Sequence, residues 1–193
     1  MCAAPGLLAL GLLALASVFL GKGLYIDAKA LVAQVLLKQA WADTLETGEP
    51  ARPWPWADTQ AIGRLRVPGG DIDQIVLAGA SGRNLAFGPV RLEIGPAAGL
   101  TILSGHRDTH FAFLRRLQPG GVVELQGTGG EWRRYRVSAT EVIDAASATM
   151  AAGPDEAPAG LVLVTCWPFD AVDPGTPWRF VVSAIPVAEP RDG

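Results

Sequence analysis

Three residues with useful side-chain chemistry each lie near the end of an apolar, β-branched run. Cys166 closes one run, and Pro168 ends regular strand pairing just beyond it. His106 closes an earlier run, and Arg179 lies near the start of a later one. A thiol, an imidazole and a guanidinium held at strand ends are suited to cysteine-dependent acyl transfer.

Each of these side chains has a distinct part in that chemistry. Cys166 would attack an amide as a thiolate and hold the acyl group until a second nucleophile takes it. His106 would take the thiol proton and return it to the leaving amine, because an imidazole changes charge near neutral pH. Arg179 would stabilise the developing oxyanion and favour the thiolate. Taken singly, they could equally be an inert buried cysteine, a core histidine and a surface charge.

Neighbouring residues are candidates for substrate binding. Thr165 directly precedes Cys166, where it could position a substrate backbone or be an ordinary strand residue. Aromatic side chains flank Cys166 and Arg179, and they either line an apolar groove for an extended peptide or pack in the core. These aromatic candidates are Trp167, Phe169 and Trp178. Asp170 and Asp173 lie in the intervening loop but are too few to predict a calcium site.

The sequence also contains a weak resemblance to a zinc motif. His110 lies four residues beyond His106, as in His-Glu-x-x-His, but Arg107 stands where the Glu should be. The segment also follows a strand instead of lying within a helix. A zinc site formed by His106, His110 and Cys166 is therefore a minor alternative, and we predict no metal or cofactor. We expect His110 and Asp108 to shape the mouth of the site, where Asp108 could orient His106.

The elements that must position these residues are mainly strands. Short β-rich segments separated by turn residues follow Asp58, which is typical of an all-β sandwich or barrel. Short helical segments are expected within 80–89 and at 111–117, and a hairpin turn at 127–130. The predicted strands are 62–67, 72–77, 100–106, 122–126, 132–142, the run ending at Cys166, and 178–185. We predict a mainly β domain of about eight strands.

The N-terminus has the composition of a membrane segment. No charged side chain occurs from Cys2 to Gly21, and the run would form about 30 Å of helix, enough to span a bilayer core. We predict a transmembrane anchor, with a cleaved signal peptide as the alternative because Ala14-Leu15-Ala16 imitates a cleavage site. Lysines that follow the span would, taken alone, favour the opposite topology. They are Lys22, Lys29 and Lys38.

A linker separates this segment from the β-rich part. Residues 24–45 keep helical spacing, whereas 47–55 contain Gly48 and three prolines and form a semi-rigid spacer. We expect Trp54 and Trp56 to pack on the following domain. The predicted division is an anchor at 1–23, a helix and Pro/Trp-rich linker at 24–56, and a catalytic domain at 57–193.

Composition excludes several other classes of protein. A net charge of −3 and a pI near 5.4 argue against nucleic-acid binding, which needs a basic surface. The chain of 193 residues is long enough for one domain with a substantial core. It has two cysteines, and Cys2 lies at the N-terminus, so no disulfide framework is expected and Cys166 is a candidate reactive thiol.

Three ordered motifs resemble those of the sortases, a family of membrane-anchored cysteine transpeptidases. They are Leu-Ser-Gly-His-Arg at 103–107, Val-Thr-Cys at 164–166 and Arg-Phe-Val-Val at 179–182. The stretches 52–58, 104–111 and 165–169 are similar to the marine proteobacterial subgroup of that family. The resemblance implies an eight-stranded sortase-type β-barrel behind the transmembrane helix, with Cys166, His106 and Arg179 as catalytic residues.

The resemblance also implies a reaction and a location. The substrate would be an LPXTG-like sorting signal near the C-terminus of an exported protein, cleaved through a thioacyl-enzyme and transferred to an amine acceptor. The protein would be a single-pass component of the inner membrane of a Gram-negative cell, with the catalytic domain facing the periplasm. The alternatives are a Cys-His peptidase without an amine acceptor and an inactive, membrane-tethered peptide-binding barrel.

Overall fold

The computed structural model describes residues 4–93, 99–146, 160–171, 173 and 175–187. In this part of the chain the helical elements are α1 (Ala4–Thr47), α2 (Gly82–Leu85) and the 3₁₀ helix η1 (Ala112–Arg116). The strands are β1 (Ala61–Arg66), β2 (Asp73–Leu77), β3 (Val90–Leu92), β4 (Leu100–Ser104), β5 (Val122–Gln126), β6 (Trp132–Asp144), β7 (Gly160–Cys166) and β8 (Trp178–Pro186).

Within these residues the eight strands close into a barrel. Their order is β1-β2-β3-β4-β7-β8-β6-β5. The pairs β2–β3 and β4–β7 are parallel, and the other neighbours are antiparallel. Closure leaves no exposed sheet edge in the barrel. The predicted mainly β, eight-stranded barrel is confirmed, and the three strands that end near the candidate catalytic residues are adjacent in it.

The barrel is filled by side chains that alternate along each strand. On β7, Leu161 and Leu163 are fully buried, whereas Val162 between them is only partly buried. Leu163 lies beside Leu103 of β4 and Val182 of β8, so three strands contribute to one layer of the core. Burying each such aliphatic side chain contributes about 1.5–3 kcal/mol. This packing fixes which residues of β4, β7 and β8 face the opposite side.

The C-terminal part of α1 packs on the outer wall of the barrel. Leu37 and Trp41 are buried in a cluster with residues of β1, β2 and β3. The Trp41 indole Nε1 donates a hydrogen bond to Gln126 Oε1 at 3.3 Å, and the Thr44 hydroxyl donates to the Ala61 carbonyl at 3.2 Å. The helix predicted at 24–45 is confirmed as part of the longer α1, and its last turns are attached to the barrel.

The predicted transmembrane helix is not confirmed. No helix in the part of the chain that the structure describes is long and apolar enough to cross a membrane. Residues 1–3, including Cys2, lie outside the described residues.

Other sequence predictions have mixed outcomes. The hairpin of β5 and β6 is confirmed, and so are the helical segments α2 and η1. Strand β3 was not predicted, because three residues with a central Arg91 are too short to show a periodic pattern. The Trp54 ring packs edge-on against Phe87 with centroids 5.3 Å apart, as predicted, whereas Trp56 is 82% exposed and does not pack.

Candidate active site

Cys166 and Arg179 lie opposite each other on neighbouring strands. Cys166 is the last residue of β7, and its partner in the antiparallel pairing with β8 is Arg179. Directly opposed residues of an antiparallel pair project from the same face, with Cβ atoms about 4.5–5.5 Å apart. Cys166 is a free cysteine of intermediate exposure, so the residue is partly open to solvent. The register therefore brings a thiol and a guanidinium to one face of the sheet.

His106 follows β4, the parallel neighbour of β7 on its other side. Ser104 pairs with Val164, and the Gly105 amide donates to the Val164 carbonyl at 3.3 Å. The Thr165 hydroxyl donates to the Gly105 carbonyl at 2.7 Å, which holds the chain beside β7 just before His106. His106 is exposed. It lies two residues beyond Ser104, just as Cys166 lies two residues beyond Val164. His106 therefore lies just beyond the end of β4, on the side of β7 away from β8.

Gly105 is required where the chain leaves β4. A Cβ atom built on Gly105 would lie 2.8 Å from Cγ of Phe111, whose ring is fully buried. Real Cβ contacts are not that short, so any larger residue would displace the ring or the backbone. The absence of a side chain lets the turn that carries His106 lie directly on the barrel core.

We expect Gly105→Ala to destabilise the protein by about 1–3 kcal/mol, the usual cost of overpacking a core. The added methyl group would meet the Phe111 ring and shift the turn before His106, so activity should fall as well. Denaturant unfolding measures the first effect. Gly127→Ala is the matched control, because nothing lies within 4 Å of a Cβ at that position. Equal unfolding midpoints for the two variants would refute the packing argument.

The loop between β7 and β8 holds the Arg179 side chain. Arg179 Nη1 donates to the Thr176 carbonyl at 2.7 Å and to the Trp178 carbonyl at 2.9 Å. The Trp167 amide donates to the Trp178 carbonyl at 3.0 Å, and the Thr176 hydroxyl donates to the Trp167 carbonyl. The guanidinium is therefore oriented by the loop backbone through one of its nitrogens. Nε and Nη2 have no hydrogen bond to any described residue and can serve another acceptor.

The predicted substrate-binding residues fall into two groups. Phe169 is 8% exposed and packs edge-on against Phe180, 5.3 Å away between ring centroids, so its side chain belongs to the core cluster. Trp167 stacks on the same Phe180 ring and is partly exposed. Trp178 is 45% exposed, and the Thr165 hydroxyl is already engaged with Gly105. Of the aromatic candidates, Trp167 and Trp178 are the ones whose side chains are exposed enough to contact a substrate.

The predicted supporting residues lie on the turn after His106. Burial lowers the pKa of the His110 imidazole, although a hydrogen bond with the Ala86 backbone opposes this. Charge on His106 also lowers the pKa of His110, and Asp108 raises it. The lowered pKa favours the neutral form of the His110 imidazole. No hydrogen bond joins Asp108 to His106 among the described residues, so an orienting role for Asp108 stays a prediction.

Arg107 closes the motif at 103–107 and is a mismatch to the zinc motif, but the sequence predicts no role for it. Its side chain is 8% exposed, and Nη2 donates to the carbonyls of Ala171 at 2.6 Å and Asp173 at 2.8 Å. It joins the turn that carries His106 to the β7–β8 loop. Nothing in the local sequence distinguishes such an arginine from a surface one. In the part that the structure describes, no group of three or more His, Cys, Asp or Glu side chains is arranged to hold a metal.

A cavity of about 650 Å³ opens at the other end of the barrel. Its lining includes Thr101, Arg133 and Tyr135, and none of the candidate catalytic residues is among its described lining residues. Tyr135 pairs with Pro186, at the end of β8 remote from Arg179. The cavity is therefore separate from the candidate active site.

The barrel end formed by β4, β7 and β8 has the chemistry of a cysteine acyl-transferase. A thiol on a partly exposed cysteine lies opposite a guanidinium, and an imidazole follows the adjoining strand. The barrel places these groups on neighbouring strands, so each can act on one bound amide.

Comparison with known proteins gives the same result. The family model of the Sortase domain matches residues 65–187. Sortase A from Corynebacterium diphtheriae has a TM-score of 0.59 at 23% identity, over 72% of this chain and 66% of that chain. The Clostridium perfringens Sortase D5 transpeptidase has a TM-score of 0.58 at 15% identity, over 81% and 96% respectively. No curated protein matches the chain.

A third similar structure includes a peptide motif in its description. It is sortase C of Clostridium perfringens with the C-terminal cell wall sorting motif, at 17% identity and a TM-score of 0.52, over 84% of this chain and 91% of that one. At these identities the structural likeness shows the fold. The family match covers well over half of the chain, and the chain therefore belongs to the sortase family, the cysteine transpeptidases. The predicted family is confirmed, and the marine proteobacterial subgroup stays a prediction.

Proposed function

We propose that this protein cleaves an LPXTG-like sorting signal near the C-terminus of an exported protein and transfers the acyl fragment to an amine. The observation that carries this proposal is the register of the site. Cys166 lies opposite Arg179, and His106 follows the parallel strand on the other side of β7. The family assignment supports a transpeptidase, and the sortase C structure with its sorting motif supports a C-terminal peptide substrate.

The proposed reaction has two halves that share one set of residues. Cys166 Sγ attacks the carbonyl carbon of the scissile amide, and His106 accepts the thiol proton. Arg179 stabilises the oxyanion with its Nε and Nη2 donors. The C–N bond then breaks, and His106 returns the proton to the leaving amine. The acceptor amine next attacks the thioester, and His106 takes its proton. The C–S bond then breaks, and His106 returns that proton to the Cys166 sulfur.

We further propose that the N-terminal part of α1 associates with a membrane. Apolar side chains on this part of the helix have no partner within the described residues, and Leu12, Phe19 and Ile26 are 60%, 64% and 64% exposed. A contiguous exposed apolar surface of this kind is unfavourable in water and is typical of a membrane or protein contact. Residues 1–23 would then be the anchoring segment, with the barrel in the periplasm of a Gram-negative envelope.

The acceptor distinguishes a transpeptidase from a peptidase. We expect the full-length protein in detergent, incubated with a candidate sorting peptide, to gain the mass of the acyl fragment on Cys166. Added glycine peptide should resolve this adduct to an amine-linked product, because an amine is a better nucleophile than water at the thioester. Intact mass spectrometry with and without the amine measures both steps. Hydrolysed peptide alone, at every amine concentration, would establish the peptidase instead.

A further inference from the structure

Arg107 is a buried, permanently charged side chain that the reaction described above does not use. Its guanidinium bonds to two backbone carbonyls, those of Ala171 and Asp173, and no carboxylate pairs with it among the described residues. Burying a charge is costly unless hydrogen bonds compensate it, and Nη1 has no partner in the described part of the chain. A surface position would avoid this cost, so the burial calls for a specific reason.

The two carbonyls belong to the loop that orients Arg179. Ala171 and Asp173 lie between Trp167 and Thr176, and Thr176 is the residue whose carbonyl accepts from Arg179 Nη1. Arg107 therefore links the turn at His106 to the loop whose Thr176 carbonyl accepts from the Arg179 guanidinium. This contact links the β4 side of the site to the β8 side, on either side of β7.

A second arginine also contacts the loop, but its contacts are weaker. Arg115 of η1 lies 3.4 Å from the Asp170 carboxylate and 5.2 Å from the centre of the Phe169 ring. The Asp170 side chain is 89% exposed, so water screens the pair and its contribution is small. Arg107, by contrast, is nearly inaccessible to solvent and makes charge-assisted bonds. Among the described contacts, Arg107 is the stronger connection between the β4 side and the loop.

We propose that Arg107 is a positioning residue that fixes the β7–β8 loop relative to His106, so that Arg179 is held in its oxyanion-binding orientation. The inference rests on the proposed function, because it assigns Arg107 an effect through Arg179. A fork-shaped guanidinium suits this role, since Nη2 alone reaches two carbonyls of the loop. Arg107 itself does not touch the substrate in this proposal.

The test is a double-mutant cycle in which kcat and KM are measured with full-length protein and the peptide used above. Arg107→Met should lower kcat about 10–100-fold, the usual result of misplacing a catalytic group by about 1 Å, with KM changed less than about threefold. Arg107→Lys should restore part of the loss. In an Arg179→Lys background, Arg107→Met should lower kcat by less than about threefold further, because the guanidinium that Arg107 positions is already absent.

The controls separate positioning from general stability. Arg115→Met removes the exposed ion pair with Asp170 and should change kcat less than about threefold. Equal losses from Arg107→Met in both backgrounds, or a loss that only follows the folded fraction measured by thermal unfolding, would overturn the positioning role. Failure of the wild type to form any peptide adduct would instead count against the proposed function.

The rate of Cys166 alkylation by iodoacetamide tests the inference without a peptide. Arg107→Lys keeps the charge but loosens the loop, so it should slow alkylation at neutral pH more than Arg115→Met does. An alkylation rate unchanged by Arg107→Lys would contradict the proposal independently of any sorting signal.

Discussion

Cys166→Ala is expected to abolish formation of the thioacyl adduct and to lower turnover by at least about 10⁴-fold, as loss of a catalytic nucleophile does elsewhere. Alanine removes the sulfur atom that forms the thioester at this site, and neither His106 nor Arg179 can substitute for it. The fold should persist, because Cys166 is only partly buried at the end of β7 and its backbone pairing is unaffected. Intact mass spectrometry and product chromatography measure the two effects.

The second cysteine provides the matched control for that variant. Cys2→Ala also removes a thiol, but in the N-terminal segment, so adduct formation and turnover should equal those of the wild type. Peptide binding by Cys166→Ala, measured by fluorescence anisotropy, should remain within about threefold of the wild type. Turnover of Cys166→Ala near the wild-type rate would remove Cys166 from the mechanism and leave the peptide-binding barrel as the better account.

The strands of the site were predictable because their side chains are buried or half-buried in a regular way. The run from Leu161 to Thr165 is apolar and β-branched, which indicates a strand whatever its neighbours are. Strand β3 is different, since its three residues are too few to show a periodic pattern. The parallel pairing of β4 and β7 likewise cannot be read from either strand alone, yet it determines where His106 lies relative to Cys166.

The roles of individual side chains were harder to predict where they depend on which way a residue faces or on contacts with a distant loop. Phe169 and Trp178 look alike in sequence as aromatic neighbours of the site, but the first packs in the core and the second is partly exposed. The burial of Arg107 was not predictable, although the residue closes the motif at 103–107, because its burial depends on carbonyls that are distant in sequence. Those carbonyls belong to Ala171 and Asp173, more than sixty residues further along the chain. Sequence spacing carries no information on such a contact.

Arg179→Lys is expected to lower kcat about 10²–10³-fold, the usual cost of removing one oxyanion donor. Lysine keeps the positive charge but loses the planar fork, and with it the arrangement in which Nη1 is tied to the loop while Nε and Nη2 serve the oxyanion. KM should change little, because this interaction strengthens as charge develops in the transition state. Steady-state kinetics with the sorting peptide give both constants.

Arg136→Lys is the matched control, since Arg136 is an exposed arginine of β6 in the same barrel wall and lies opposite Ile185, remote from the site. Its kcat should stay within about twofold of the wild type, as for surface substitutions in general. Thermal unfolding of Arg179→Lys should resemble that of this control, because its side chain bonds only to local backbone carbonyls. If Arg179→Lys kept nearly full activity, charge alone would be sufficient at this position. The loop-held geometry of the guanidinium, and with it the positioning role of Arg107, would then have no catalytic purpose.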